Sequence, residues 1–410
     1  MKFFERLVFF LLLTTIPIQL GKHFWPDFSF VQGIRVDYLS PTFYISDFAF
    51  LILLILSFSR IGKEFGVFLL RPLFFLTILV FSAGLFAAMH PLATLLGILK
   101  FLQFSYLAFY VCKTFRLKDY SPLTFILVLG GLVQTIILAF QFYSQRSLGG
   151  VFYYLGERTF DVSTPGIAAF RWNENFLMRP YGTFPHPNVL AFYLLLGFFF
   201  LLFSLNFKSR KTTFLKVCIL FILAIGITFT FSRIVFILLL GITIAWAIKQ
   251  AKGMKKNAKV RIMLITVLLL FAVIVIFSSR LGSGFARDMY LRFELLKTGA
   301  LIFIKNPVFG VGLNNFFYHE ILYQKQVTPI LLQPIHNIFA LWGVSTGIIG
   351  MILAGVFLRK LIGHVRKRFL LILVVSALVV GMFDHYLLTL QQGQLMAALI
   401  IGISFTKAKD

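Results

Sequence analysis

Charge is scarce in this 410-residue sequence. Asp, Glu, Lys and Arg make up 13% of it, and only 14 residues are acidic. Soluble domains carry about 25% charged residues. A chain that is instead 59% hydrophobic lacks the polar surface of a soluble enzyme, a nucleic-acid-binding module or a secreted scaffold. Cysteine is scarcer still. Cys112 and Cys218 fall at or inside separate apolar stretches, with no CxxC or Cys/His spacing around them. Neither a disulfide framework nor a zinc site is indicated. Internal repeats and low-complexity linkers are also missing. No cleavage pattern follows the first apolar stretch, which is therefore expected to stay as an anchor.

What the sequence has in abundance is long hydrophobic runs. About twelve stretches of roughly 17–25 residues can each cross a hydrocarbon core of about 30 Å. They lie near 3–20, 43–59, 67–88, 92–112, 122–144, 187–207, 213–231, 233–249, 262–279, 337–358, 369–387 and 391–406. The expected fold is all-α, a single polytopic membrane domain over 1–410. With the N-terminus inside, the inner segments hold 24 Lys and Arg against four acids, and the outer segments 13 against ten. Most of the net charge of +25 is then topology and attraction to anionic lipid rather than a nucleic-acid signal. Within spans, Arg71 lies nearer one end and Lys100 near the middle. An intramembrane lysine is a functional candidate, although one lysine makes no pathway.

Two outer segments, 145–186 and 280–336, are far longer than the other connections. Loops above about 15 residues are usually functional or disordered. Runs such as VFYYLG, FRW and NNFFYH carry too much apolar bulk to stay solvated, so both segments are expected to be structured. A helix is predicted from about 284 to 305, with Ser283 able to cap it and Asn306-Pro307 ending it.

Four patterns in the outer segments carry candidate chemistry. Arg179-Pro180-Tyr181-Gly182-Thr183-Phe184-Pro185-His186-Pro187-Asn188 reads as a Pro-rich turn before the sixth span, but Arg179 brings a cation to a segment short of acids. Thr230-Phe231-Ser232-Arg233 forms a whole connection. Its arginine can snorkel to the interface or bind an oxyanion through its guanidinium fork. In the third pattern, Arg287-Asp288-Met289-Tyr290-Leu291-Arg292, Asp288 and Arg292 stand at i, i+4 in the order that favours a surface salt bridge. The glycines of the following Asn306-Pro307-Val308-Phe309-Gly310-Val311-Gly312 suit a tight turn, not a dinucleotide fingerprint. The fourth, Gln333-Pro334-Ile335-His336-Asn337, precedes the tenth span. His336 is either structural or a proton acceptor of near-neutral pKa. Asp384-His385 caps the eleventh span or closes a site with His336.

In this order, R-P-Y-G-T-F-x-H-P-N, T-x-S-R, N-P-x-F-G-V-G-x-N-N-F and H-N before an apolar span with T-G-I-I-G resemble the O-antigen ligase/polymerase superfamily, the WaaL- and Wzy-like membrane glycosyltransferases. The resemblance covers roughly 175–350. It implies a GT-C-like fold and transfer of a glycan from undecaprenyl pyrophosphate to a glycan or glycolipid acceptor, with no metal or other cofactor. It also implies a bacterial inner-membrane location with the site facing the periplasm or exterior. Carried over by motif, Arg179, Arg233 and Arg292 hold the pyrophosphate, with Arg287 as the alternative third arginine, and His336 is the catalytic residue. Further possible site residues are His186, Asn337, Asp384, His385 and Lys100.

The residue types suit that chemistry. Arginines stabilise negative charge that grows on the leaving pyrophosphate, and a histidine can take the proton of an attacking sugar hydroxyl, giving inversion. No paired outer carboxylates point to a metal or to double displacement. Arg179, Arg233 and His336 are expected to converge on one outward-opening cavity. The competing reading is a transporter or flippase of polyprenyl-linked oligosaccharide, which would need a polar path across the bilayer.

Overall fold

A computed structural model of the chain describes residues 2–172, 175–204, 209–251, 284–323, 332–365 and 367–406. The architecture is helical. Contacts divide it into two compact units: Met1–Leu123 with Leu291–Asp410, and Thr124–Tyr290.

In the first unit, α1 (Lys2–Thr14), α2 (Ile45–Leu69), α3 (Pro72–Ala87) and α4 (Pro91–Thr114) precede the second unit in sequence. The second unit holds α5 from its fifth residue onward (Tyr120–Ser144), the short α6 (Val151–Tyr154), α7 (Pro187–Ser204), α8 (Arg210–Phe229) and α9 (Arg233–Ala251). The chain then returns to the first unit through α10 (Gly284–Lys305), α11 (Phe316–Glu320), α12 (Ile338–His364), α13 (Arg368–Phe383), α14 (Tyr386–Thr389) and α15 (Gln391–Phe405).

Among the described residues, five helices are long and apolar enough to cross a membrane: Ile45–Leu69, Pro91–Thr114, Leu117–Ser144, Lys211–Phe229 and Ile338–His364. Pro72–Ala87, Pro187–Phe203, Arg233–Ile248 and Arg368–Phe383 are apolar but shorter. Every expected span except that at 262–279, which lies outside the described residues, overlaps one of the helices. The ends differ for physical reasons. The first helix stops at Thr14, before Pro17, whose ring cannot supply the amide that a further turn needs. The second runs on to Leu69, well past the expected end at 59, because its last turns carry charges that find partners. The helix predicted over 284–305 is present, whereas Ser283 lies outside the described residues.

Among the described residues, strand is confined to connections, as three antiparallel pairs: β1 (Gly21–His23) with β4 (Thr42–Tyr44), β2 (Phe30–Val31) with β3 (Ile34–Arg35), and β5 (Ala169–Trp172) with β6 (Asn175–Met178). The all-α expectation misses these small hairpins. The β2–β3 turn rests on Gln32 and Gly33, both at positive φ, as a two-residue hairpin of this hand requires.

The tenth expected span hides a larger departure. Helix α12 is broken at Gly347, whose φ of 66° and ψ of −168° are not helical. A break releases backbone groups that apolar surroundings cannot satisfy. Residues 307–312 satisfy them. The amides of Val311 and Gly312 donate to the carbonyls of Val344 and Ser345, each at 3.0 Å, and the amide of Ile348 donates to the carbonyl of Pro307 at 2.8 Å. A Cβ on Gly310 would stand 2.5 Å from the backbone of Ser345 and Thr346, and one on Gly347 2.2 Å from the carbonyl oxygen of Val308. The tight turn expected at Gly310 and Gly312 is therefore also a close backbone crossing.

Three ion pairs tie the first unit together: Arg6 with Asp119, Arg60 with Glu5 and Lys113 with Glu64. All six residues are among those that the charge count puts on the inner side. Glu5 and Asp119 keep only 5% of their side-chain surface exposed, while Lys113 and Glu64 keep 42% and 53%. Removing one partner of a buried pair strands its charge, at a cost of about 3–5 kcal/mol. An exposed pair contributes below about 1 kcal/mol. We therefore expect Arg60→Met to lower the thermal unfolding midpoint in detergent clearly and Lys113→Met to leave it nearly unchanged. Equal shifts for the two variants would contradict this ranking.

Candidate functional site

In the second unit, the segment Arg179–Asn188 is held by the polar face of α5. Gln141 is fully buried. Its Oε1 accepts from the amides of Tyr181 and Gly182 at 3.0 and 2.8 Å, and its Nε2 donates to Glu157 Oε1 at 2.7 Å and to the carbonyl of Gly182 at 2.9 Å. Two turns earlier on the same helix face, Gln134 accepts from the Thr183 amide at 3.0 Å and donates to its hydroxyl at 2.8 Å. The carboxylate of Glu157 in turn accepts from the amides of Leu148 and Gly149, both at 2.7 Å. This glutamate is spent on the loop.

The clamp fixes where Arg179 points. Its Nε donates to the carbonyl of Thr230 at 3.0 Å, and its Nη2 donates to Asn188 Oδ1 at 2.6 Å. Asn188 is itself held, since its amide donates to His186 Nδ1 at 3.1 Å. Arg179 is thus bound to the Thr230-Phe231-Ser232-Arg233 turn, across 51 residues of sequence. In that turn Phe231 adopts a φ of 58° and packs on Phe170, ring centroids 4.5 Å apart. Thr230 and Ser232 are buried and the Thr230 hydroxyl donates to the carbonyl of Ile227 at 2.6 Å. Threonine closes α8, while Arg233 opens α9 with its side chain exposed.

In the first unit, Arg292 and Asn337 meet the end of α13. Arg292 Nη1 donates to the carbonyl of Phe383 at 2.7 Å, and among the described residues no ion pair joins it to Asp288. Asn337 Nδ2 donates to the carbonyl of Met382 at 3.0 Å, while its Oδ1 caps α12 by accepting from the amides of Phe339 and Ala340 at 2.9 and 3.0 Å. Its geometry is that of a helix cap. Arg287 lies on α10 with Arg292, and its side chain lies outside the described residues.

The pair following α13 faces His336. The rings of His336 and His385 meet edge to face at 5.0 Å, and Tyr38 covers His385 from another side at 5.3 Å. Asp384 and His385 are both buried. Ligand atoms of His336, Asp384 and His385 all lie within 4.8 Å of one another. Closing of a site by Asp384-His385 is one of the two sequence expectations for that pair, whereas a metal-type constellation is not, because its members have no diagnostic spacing.

Lys100 has a different environment. Its Nζ donates to both oxygens of Asp47 at 2.9 and 3.1 Å and to Gln391 Oε1 at 3.0 Å. Gln103 and Gln391 also donate to Asp47 Oδ1, at 2.6 and 2.8 Å. This half-buried cation is neutralised by a buried carboxylate, and the network joins α2, α4 and α15. No signal in the spacing of Asp47, Lys100 and Gln391 announced it.

Burying a polar group after its partner is removed costs about 1–3 kcal/mol. Gln141→Leu strands two amides, a carbonyl and part of Glu157. We expect it to lower the unfolding midpoint and to open the 145–186 segment to limited proteolysis, and Gln141→Glu, which loses the donor and sets a second carboxylate against Glu157, to do the same. Unchanged protease resistance in Gln141→Leu would remove the clamp from the account.

A comparison with curated proteins finds no match. A family model described as O-Antigen ligase matches residues 218–355. The matched region holds Arg233, Arg287, Arg292, His336 and Asn337, together with the crossing of 307–312 through α12, and leaves Arg179, His186, Lys100, Asp384 and His385 outside. Over residues 218–355 the chain is thus similar to the O-antigen ligase family, and its apolar helices are those of a multi-pass membrane protein.

Proposed function

We propose that the chain transfers a glycan from an undecaprenyl-pyrophosphate-linked donor to a glycan or glycolipid acceptor. The reaction runs at the outer face of the inner membrane, metal-independent and with inversion. The observation that carries the reading is the bond from Arg179 to the turn bearing Arg233. The bond supports a reading in which two motif cations, distant in sequence, act on one ligand, and the buried acid of the same loops, Glu157, is already occupied. Such a pair suits a pyrophosphate, whose leaving oxygens gain charge as the glycosidic bond breaks. Arg292 or Arg287 supplies the third cation. His336 takes the proton of the acceptor hydroxyl, and Asp384 and His385 close the site around it.

A twelve-span, GT-C-like plan belongs to this proposal, with 145–186 and 280–336 outside as structured loops of a single membrane domain. Grouping of the inner-side residues into ion pairs supports it. The flippase reading needs a polar path across the bilayer, and Lys100, paired with Asp47, ties helices together instead.

Two measurements test the proposal. Single cysteines introduced in 145–186 and 280–336 should react with an impermeant reagent applied from outside, and cysteines in the Lys252–Lys259 loop should not. The reverse pattern would invert the topology and remove the site. In single-turnover transfer from a lipid-linked donor, Arg233→Lys keeps a charge but loses the fork and should still impair transfer. His336→Ala should slow transfer by about 10²–10⁴-fold, the usual contribution of a general base, with donor binding retained. Transfer at the parent rate by His336→Ala would end the general-base assignment.

A further inference from the structure

The constellation of His336, Asp384 and His385 supports more than proton transfer. The Thr389 hydroxyl lies 2.6 Å from His385 Nδ1. When that hydroxyl donates to the His385 carbonyl, 3.3 Å away, its oxygen accepts from Nδ1–H of the ring. Nε2 of the neutral imidazole is then a lone-pair site, and it stands 3.9 Å from Asp384 Oδ1. In that tautomer both atoms can ligate one cation in a buried setting. Asp384 Oδ1 is itself oriented by the backbone amide of His385 at 2.8 Å. A nitrogen of His336 completes the group, every ligand atom being within 4.8 Å of the others.

Two imidazoles and one carboxylate are the donor set that first-row divalent metals of the zinc type prefer. Around zinc the ligand bonds are about 2.0–2.2 Å, which puts tetrahedral ligand atoms about 3.4 Å apart. Drawing the three side chains onto one ion takes movements of about 1 Å or less. The outer partners are of the kind that metal-binding histidines use, with one ring nitrogen held by a neighbouring oxygen and an aromatic wall, here Tyr38, excluding water. Arg292, bonded at 2.7 Å to the carbonyl of Phe383 next to Asp384, opposes a dication and keeps the ion exchangeable.

We propose that His336, Asp384 and His385 form a binding site for a divalent transition-metal ion, and that occupancy inhibits glycan transfer. The ion takes the lone pair that His336 needs for the acceptor's proton, so the metal is a regulator of a reaction that proceeds without it. The site itself stands on geometry alone, whereas the inhibition rests on the general-base reading above.

The test uses the untagged full-length protein in detergent, titrated with Zn²⁺ after chelator treatment. Parent protein should bind one ion per chain more than His385→Ala or the shape-preserving Asp384→Asn, each checked for monodisperse elution. Thr389→Val, which removes only the outer hydroxyl, should weaken binding by about 10–100-fold. Equal stoichiometry and affinity in parent and all three variants would overturn the site. Transfer by the parent should fall as Zn²⁺ fills the site and return on adding chelator. Full occupancy with unchanged or faster transfer would overturn the inhibition. His336→Ala assayed in chelator separates the two ideas. If it is slow while zinc-loaded parent is fast, the inhibition fails and the base survives. If it matches the parent rate, the base assignment fails, and the zinc titration still decides the site.

Discussion

A backbone group that has lost its helical partner in apolar surroundings must find another, and the first unit is organised around one such repair. The break at Gly347 frees carbonyls at Val344 and Ser345 and the amide of Ile348, and the strand of chain after Asn306-Pro307 supplies partners for all of them. The repair fixes what flanks it. Upstream of the crossing is α10 with Arg292, and Asn315 beyond it is locked by accepting from the His90 amide at 2.9 Å and donating to Thr94 Oγ1 at 2.6 Å. Downstream, the first half of α12 begins at Asn337, so the position of His336 follows from the same crossing. A chemically silent contact between two loops of backbone thereby determines where a candidate catalytic side chain stands.

The polar interior divides by task. Asp47, Lys100 and Gln391 neutralise and satisfy one another, as do Gln141, Glu157 and the turn at Tyr181. Buried charges retained in this way are costly to break and contribute little net stability beyond an apolar equivalent. Their value here is geometric. Gln391 lies just past the corner that carries Asp384 and His385, while Arg292 and Asn337 hold the residues just before it, so both ends of the corner are anchored.

Legibility from sequence followed the length scale of each signal. Apolar runs of membrane length specify helices by themselves, and the Asn306-Pro307 stop gave the end of α10 correctly. Helix ends that depend on partners were misjudged. Nothing local to Arg60 or Lys63 says that α2 continues through them, because the partner Glu5 lies 55 residues away. The glycines of 307–312 signalled a turn, but the second backbone that they admit belongs to residues some 35 positions later and leaves no local mark. Among the candidate site residues, motif order selected Arg179, Arg233 and His336 without spatial information. Asn337 and Lys100 were proposed for function on residue type, and both are engaged in structure. The juxtaposition of His336 with Asp384 and His385 depends on how α12 and α13 pack, a long-range relation invisible to spacing.

The discontinuity of the first unit bears on biogenesis. Synthesis delivers Glu5 and Arg6 first, yet Arg60 and Asp119 emerge only after one and several further helices have entered the membrane. Val111 and Ala108 wait longer still, for the close-packed Gly402 of α15 that fits against them. Between these events the entire Thr124–Tyr290 unit is made. Early helices therefore reside in the bilayer with an acid and a packing groove uncovered until α15 is made. A ribosome stalled before α15 would leave the second unit whole and the first one unfinished.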